Sequence, residues 1–246
     1  MTIEYTLLLA AIQGFTEYLP VSSSAHLALL PAVIGAEDQG LFIDVAAHVG
    51  SLFAVMWHYR ARVFDLLLFK DMNLMGKLFL SFLPVLMFGL LITSPRGIPI
   101  IAVNLIIFGI ILWAADRYGK SDKTVTPWTA FITGFAQLLA LVPGVSRSGA
   151  TISAMRARGV GRAEALDFAF LMSIPAIAAA GGWELLGALK NPEPINWMPV
   201  LLTVALSAIF SLLAIRFMLG FVRRFSFAPF AVYRILLGII LLVFYV

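Results

Sequence analysis

Apolar residues run along this chain in blocks long enough to cross a bilayer, with polar residues gathered between the blocks. Six stretches, roughly 42–68, 74–93, 98–116, 164–189, 198–218 and 229–246, predict transmembrane helices. Two further stretches, about 3–34 and 127–156, behave differently. Each contains two short helical runs split by a Pro-Ser turn, and neither half reaches the ~20 residues that a crossing requires. They predict re-entrant helical hairpins, because broken backbone is tolerated at membrane depth only where protein or water surrounds it.

The two interrupted stretches look like copies. The first reads Gln13-Gly14-Phe15-Thr16-Glu17-Tyr18-Leu19-Pro20-Val21-Ser22-Ser23-Ser24-Ala25-His26. The second runs from Gly134-Phe135-Ala136-Gln137 to Pro143-Gly144-Val145-Ser146-Arg147-Ser148-Gly149-Ala150. Both follow the order Gly-Phe-x-(Glu/Gln), Pro, then a Ser-rich turn, with three more residues between Gly and Pro in the second. Chance likeness between two Gly/Ser-rich stretches is the plain alternative. Ionisable side chains at membrane depth are expensive, so the default reading is a functional site at a repeat interface.

Composition settles the solvent. Hydrophobic residues make up 61% of the chain and charged residues 12%, too few for the surface of a soluble domain. The expected fold is an all-α polytopic membrane protein, one integral domain over residues 1–246. No cleavable signal peptide is predicted, since the start lacks a basic region. Having no cysteine, the chain has neither disulfides nor thiolate metal sites.

Charge then orients the chain. With the N-terminus outside and each hairpin returning to its own side, the inner connections carry Arg60, Arg62, Lys70, Lys77, Arg117, Lys120, Lys123, Arg156, Arg158, Arg162, Arg216, Arg223 and Arg224. The outer ones carry only Arg96 and Lys190. Arg147 lies in the second hairpin and Arg234 in the last span, which accounts for all 17 basic residues. This asymmetry places both termini outside. Each half (about 1–120 and 121–246) is then one hairpin plus three transmembrane helices. An odd number of spans inverts the second copy, so the turns meet near mid-membrane as an inverted-topology repeat.

The chemistry is concentrated in the turns. Ser22, Ser23 and Ser24 open one helical run, and Ser146 and Ser148 another. A helix start offers unpaired N–H groups and the positive end of a dipole, a ready site for phosphate. Arg147 adds a planar fork that pairs bidentately with phosphate oxygens. An architectural Arg147–Glu17 bridge is the competing account, and the two are compatible. Glu17 is a candidate base, a candidate ligand for Mg²⁺ or Ca²⁺, or simply the acceptor that satisfies a serine. His26 lies three residues after Ser23, on one helical face, which suggests a nucleophile and its proton shuttle, or a nucleophilic His26. Asp44 and His48 either line the entry or stabilise their helix. Asp167 is expected to cap its helix or to pair with Arg162 or Arg158, and Asn104 to bond across helices.

At these motifs the chain closely resembles the bacterial undecaprenyl-diphosphate phosphatases, the BacA-type bacitracin-resistance proteins. Weaker likeness extends to Asp44-Val45-Ala46-Ala47-His48-Val49-Gly50-Ser51 and to residues 225–234, so it covers essentially the whole chain. The resemblance implies hydrolysis of undecaprenyl diphosphate to undecaprenyl phosphate and phosphate, recycling the carrier for peptidoglycan and other envelope polymers. It also implies a divalent cation and a site opening outward from the bacterial cytoplasmic membrane. Where some members carry a first glutamate this chain has Gln13, leaving Glu17 as the only acid of that motif.

The catalytic set expected is therefore Glu17, Ser23, His26 and Arg147. Ser22, Ser24, Ser146, Ser148 and Gly149 would join Arg147 in binding phosphate, and Glu17 is the metal candidate. Ser23 is the preferred nucleophile, with His26 relaying its proton. The expected partners are a polyprenyl diphosphate and the bilayer, with no nucleic acid. A homodimer is left open. A lipid-phosphate transporter or flippase on the same scaffold is the rival reading. The acid-phosphatase-like lipid phosphatases are excluded, because the chain lacks their Lys-x6-Arg-Pro motif.

Overall fold

The computed structural model describes residues 2–92, 97–119, 123–190 and 196–245. Arg96, Lys120 and the side chain of Lys190, all used in the charge count, lie outside the described residues. The elements are helical: α1 (Ile3–Tyr18), α2 (Ser23–Ile34), α3 (Leu41–His58), α4 (Arg60–Leu67), α5 (Met72–Phe88), α6 (Ile98–Tyr118), α7 (Pro127–Leu139), α8 (Arg147–Ala157), α9 (Arg162–Lys190), α10 (Trp197–Phe221) and α11 (Ala228–Tyr245). A lone bridge between Lys123 and Val160 is the only extended pairing among the described residues.

Local chemistry sets the helix starts. Thr2, Asp71 and Thr126 each accept a backbone N–H three residues on, at 3.2, 2.9 and 3.1 Å, which fills one of the orphan donors of a first turn. Pro127 follows Thr126 at the first helical position, where its missing N–H is harmless.

Helices α3, α6, α9, α10 and α11 are long and apolar enough to span a membrane, and the bent pair α4–α5 makes a sixth candidate. The stretch 42–68 is not the single span expected: α3 ends at His58, and α4 is a separate helix with no buried residue that meets α5 at 93°. Eighteen residues already reach about 27 Å, close to the thickness of the hydrocarbon core. Arg60 and Arg62 then begin a segment that has no reason to stay in lipid. Helices α1, α2, α7 and α8 have 16, 12, 13 and 11 residues, as expected of two interrupted stretches.

The bundle is built inside out. Phe53, Trp57, Leu201 and Phe244 are exposed, as suits lipid-facing positions, whereas Ser51, Ser81, Ser173, Ser207 and Ser211 are fully buried. Small residues let helices approach where no hydrophobic gradient drives them together. Gly14 of α1 is the clearest case: a Cβ there would lie 2.5 Å from Phe210 Cβ and 2.9 Å from Ser211 N of α10. Its sequence counterpart Gly134 of α7 is pressed in the same way against Ser81 and Pro84 of α5. Helices α6 and α11 do this reciprocally, through Gly109 and Gly238.

One end of the bundle is tied by ion pairs. Asp116, at the end of α6, accepts from Arg156 Nε at 3.0 Å, Arg162 Nε at 2.7 Å and Phe227 N at 3.0 Å. Asp167 pairs with neither Arg162 nor Arg158, contrary to expectation. It accepts from Tyr59 and Arg62 at 2.5 and 2.6 Å, because the junction of α3 and α4 brings these two side chains to it.

Candidate active site

Both Pro-containing turns end on a serine with a left-handed backbone, Ser22 at φ 77° and Ser146 at φ 70°. A non-glycine residue held there carries local strain, which surrounding contacts must fix. The residue that follows is the first of its helix: Ser23 in α2 and Arg147 in α8. The strained serines thus give Ser23 and Arg147 equivalent positions in the two turns.

Arg234 of α11, fully buried, holds the turns together. It donates to the carbonyl of Pro20 at 3.4 Å, and to those of Gly144 and Val145 at 3.0 and 2.7 Å. Asn104 of α6 adds a bond to the Pro143 carbonyl at 2.8 Å, reaching a turn rather than the neighbouring helix expected of it. Ser148 Oγ reaches the Leu19 carbonyl at 3.1 Å, linking second turn to first. Sequence reasoning saw Arg234 only as a charge in the last span. Its position in an apolar helix was the available signal.

Glu17 is the centre of the site. It is buried, and both of its oxygens are engaged. Oε1 accepts from Arg147 Nη2 at 2.5 Å. Oε2 accepts from Ser23 Oγ at 2.6 Å and Gln13 Nε2 at 3.0 Å, and faces His48 Nε2 at 3.4 Å. His48 is oriented by its Nδ1, which donates to the Asp44 carbonyl one helical turn back at 2.7 Å. Gln13, standing where a second acid occurs in some relatives by the resemblance, is here a donor that supports Glu17.

The expected Ser23–His26 pair does not form. Ser23 bonds Glu17 instead, while His26 turns to the far side of its helix. Its Nδ1 lies 2.8 Å from the Ser22 carbonyl and its Nε2 2.6 Å from the Tyr233 hydroxyl, with the two rings stacked. A carbonyl can only accept, so Nδ1 carries the proton and neutral Nε2 accepts from Tyr233. Ser23, at the first position of α2, points back to α1, and the three-residue spacing does not bring imidazole and hydroxyl together.

A cavity of about 610 Å³ opens over this cluster. Glu17, Ser23, Ser24, His48, Gln137, Ser146, Arg147 and Ser148 form its polar part. Its remaining wall is apolar, from residues such as Val45 of α3, Phe82 and Val85 of α5 and Ile177 of α9. Of the expected phosphate ligands, Ser22 and Gly149 do not line it. Ser22 contacts Ser24 Oγ at 3.3 Å, and Gly149 donates its N–H to Ser146 Oγ at 3.1 Å. That bond caps α8. No side chain among the described residues caps α2, whose first N–H groups keep their anion-binding character.

For a hard cation the donor set is thin. No group of three or more His, Cys, Asp or Glu suited to a metal occurs among the described residues. Among the described residues that line the cavity, Glu17 is the one carboxylate.

Taken together, the fold and site define a polytopic helical membrane protein with a buried Arg–Glu–Ser cluster at the meeting of two broken helices. The chain belongs to the family described as bacitracin resistance protein BacA, whose model matches residues 6–240. Similar proteins include the undecaprenyl-diphosphatases of Campylobacter concisus, 39% identical with 98% of each chain covered, and Roseobacter denitrificans, 42% identical with 99% of each covered. That of Campylobacter curvus is 39% identical over the full length of both chains.

Proposed function

We propose that this protein hydrolyses undecaprenyl diphosphate to undecaprenyl phosphate and inorganic phosphate, within the recycling of a lipid carrier for the bacterial envelope. The observation that carries this reading is the Arg147–Glu17–Ser23 cluster at the polar end of a mostly apolar cavity. That division suits a ligand with a charged head and a prenyl tail.

Arg147 spends one N–H on Glu17, and the rest of its fork faces the diphosphate. The uncapped start of α2 adds backbone donors. Ser23 Oγ attacks the terminal phosphorus as its proton passes to Glu17, and the bond to the bridging oxygen breaks. Glu17 returns the proton to the departing lipid monophosphate. Water then attacks the phosphoserine and gives a proton to Glu17, which passes it to the departing Ser23 Oγ, restoring both residues and releasing phosphate. Glu17 thus replaces His26 as the proton acceptor, and His26 positions the Ser22 turn. Positioning and charge stabilisation supply most of the rate.

A divalent cation enters this proposal through the substrate. Glu17 and the diphosphate oxygens together would hold it, and it would supply neutralisation of phosphate charge. A flippase is not favoured, because the full-length relatives carry the name of an enzyme.

The proposal places the two halves as inverted repeats, with termini and cavity mouth outside. The matched packing of Gly14 on α10 and Gly134 on α5 supports the first point, and the loop charges support the second. The native chain has no cysteine, so single Asp38→Cys and Arg224→Cys variants report sidedness. An impermeant maleimide should label only the first in intact cells, and the reverse pattern overturns the orientation.

The direct test is release of inorganic phosphate from undecaprenyl diphosphate by purified protein in detergent, where transport has no meaning. Absence of release overturns the enzymatic reading. A phosphoserine at position 23 in a quenched reaction would identify the nucleophile, and a phosphohistidine would reject Ser23.

A further inference from the structure

Gln137 stands in the second hairpin where Glu17 stands in the first, after Gly134-Phe135-Ala136 as Glu17 follows Gly14-Phe15-Thr16. The two residues have opposite surroundings. Glu17 has four polar partners, whereas Gln137 is 3% exposed and neither its Oε1 nor its Nε2 has a hydrogen-bond partner among the described residues. An amide buried in this way forfeits the hydrogen bonds that water would give it. Its backbone is well held, since Gly134 one turn earlier packs against Ser81 and Pro84 of α5. Among the described residues with a stranded buried polar atom, Gln137 is the one that lines the cavity with Glu17, Ser23 and Arg147.

We propose that Gln137 is a substrate-binding residue whose side-chain amide donates to a non-bridging oxygen of the diphosphate, from the opposite hairpin to Ser23. This rests on the phosphatase reading. Neutrality is part of the role. Glu17 is offset by Arg147 at 2.5 Å, while a carboxylate at position 137 would meet an already anionic phosphate as a like charge. The repeat has diverged into one ionised member that handles the proton and one neutral member that binds the substrate.

The test compares wild type with Q137L and Q137E in detergent. Three quantities are measured: steady-state phosphate release, binding of methylenebisphosphonate as a non-hydrolysable diphosphate, and thermal unfolding. Q137L should lower kcat/KM and weaken bisphosphonate binding by roughly 10- to 100-fold, the worth of a hydrogen bond to a charged group. Its unfolding temperature should stay level or rise, because a stranded amide has been removed. Q137E should lose more activity than Q137L. Activity of Q137L within twofold of wild type overturns the proposal. So does a matching loss of activity and thermal stability, the mark of a structural role, or a Q137E as active as wild type. If wild type releases no phosphate, the phosphatase reading falls, and the bisphosphonate comparison still decides whether position 137 contacts a diphosphate.

Discussion

Arg147 and Arg234 are both drawn into the meeting point of the two turns, and they do opposite things there. Arg147 pairs with a carboxylate and lines the cavity. Arg234 is sealed from it, with backbone carbonyls as its only hydrogen-bond acceptors among the described residues. One arginine is placed to meet a ligand, and the other fixes the backbone that places it. Residue type is the same in both, but Arg147 is only part-buried while Arg234 is fully buried. What differs is whether the guanidinium has donors left over on an open side, so an arginine in an apolar helix is by itself a poor guide to function.

The two roles separate under mutation. Arg147→Ala should lower kcat/KM for phosphate release by about 10³-fold or more, the scale of losing a main charge-stabilising contact. Arg147→Lys should stay folded and recover less than a tenth of wild-type activity, since an ammonium lacks the planar fork. A lysine variant near wild type would show that charge alone suffices. Arg234→Met should act on stability first. Stranding three carbonyls is worth about 3–5 kcal/mol, seen as a lower unfolding temperature in detergent. If it unfolds like wild type yet is inactive, Arg234 belongs to the chemistry after all.

His48 and His26 offer a finer version of the same contrast. His48→Ala removes a neighbour of the Glu17 carboxylate at 3.4 Å and should lower kcat/KM by about tenfold. At the helix crossings the smallest effect on turnover is expected, and the change falls on stability instead. Gly14→Ala and Gly134→Ala each force a Cβ into a neighbouring helix and should cost about 1–3 kcal/mol of stability. A stable Gly134→Ala beside a destabilised Gly14→Ala would show that the two crossings are not equivalent.

Much of this was legible in the chain. The two interrupted stretches, Glu17 and Arg147 stand out because an apolar sequence tolerates ionisable groups only for a reason. The split of 42–68 was not legible, since hydropathy is indifferent to where a helix turns aside. Nor was the choice of Ser23 partner. A spacing of three residues puts Ser23 and His26 on one helical face, but Ser23 is the first residue after a strained φ, and its hydroxyl points to the previous helix.

The sequence by itself determined the solvent, the helical class, the paired turns and the kinds of groups they carry. These follow from length, hydropathy and residue chemistry, which are local properties. Only the tertiary structure decided that Ser23 bonds Glu17, that His26 faces Tyr233, that His48 joins the acid and that Arg234 clasps both turns. Each of these joins residues brought together by helix crossing and by the backbone at Ser22 and Ser146, geometry that no local pattern encodes.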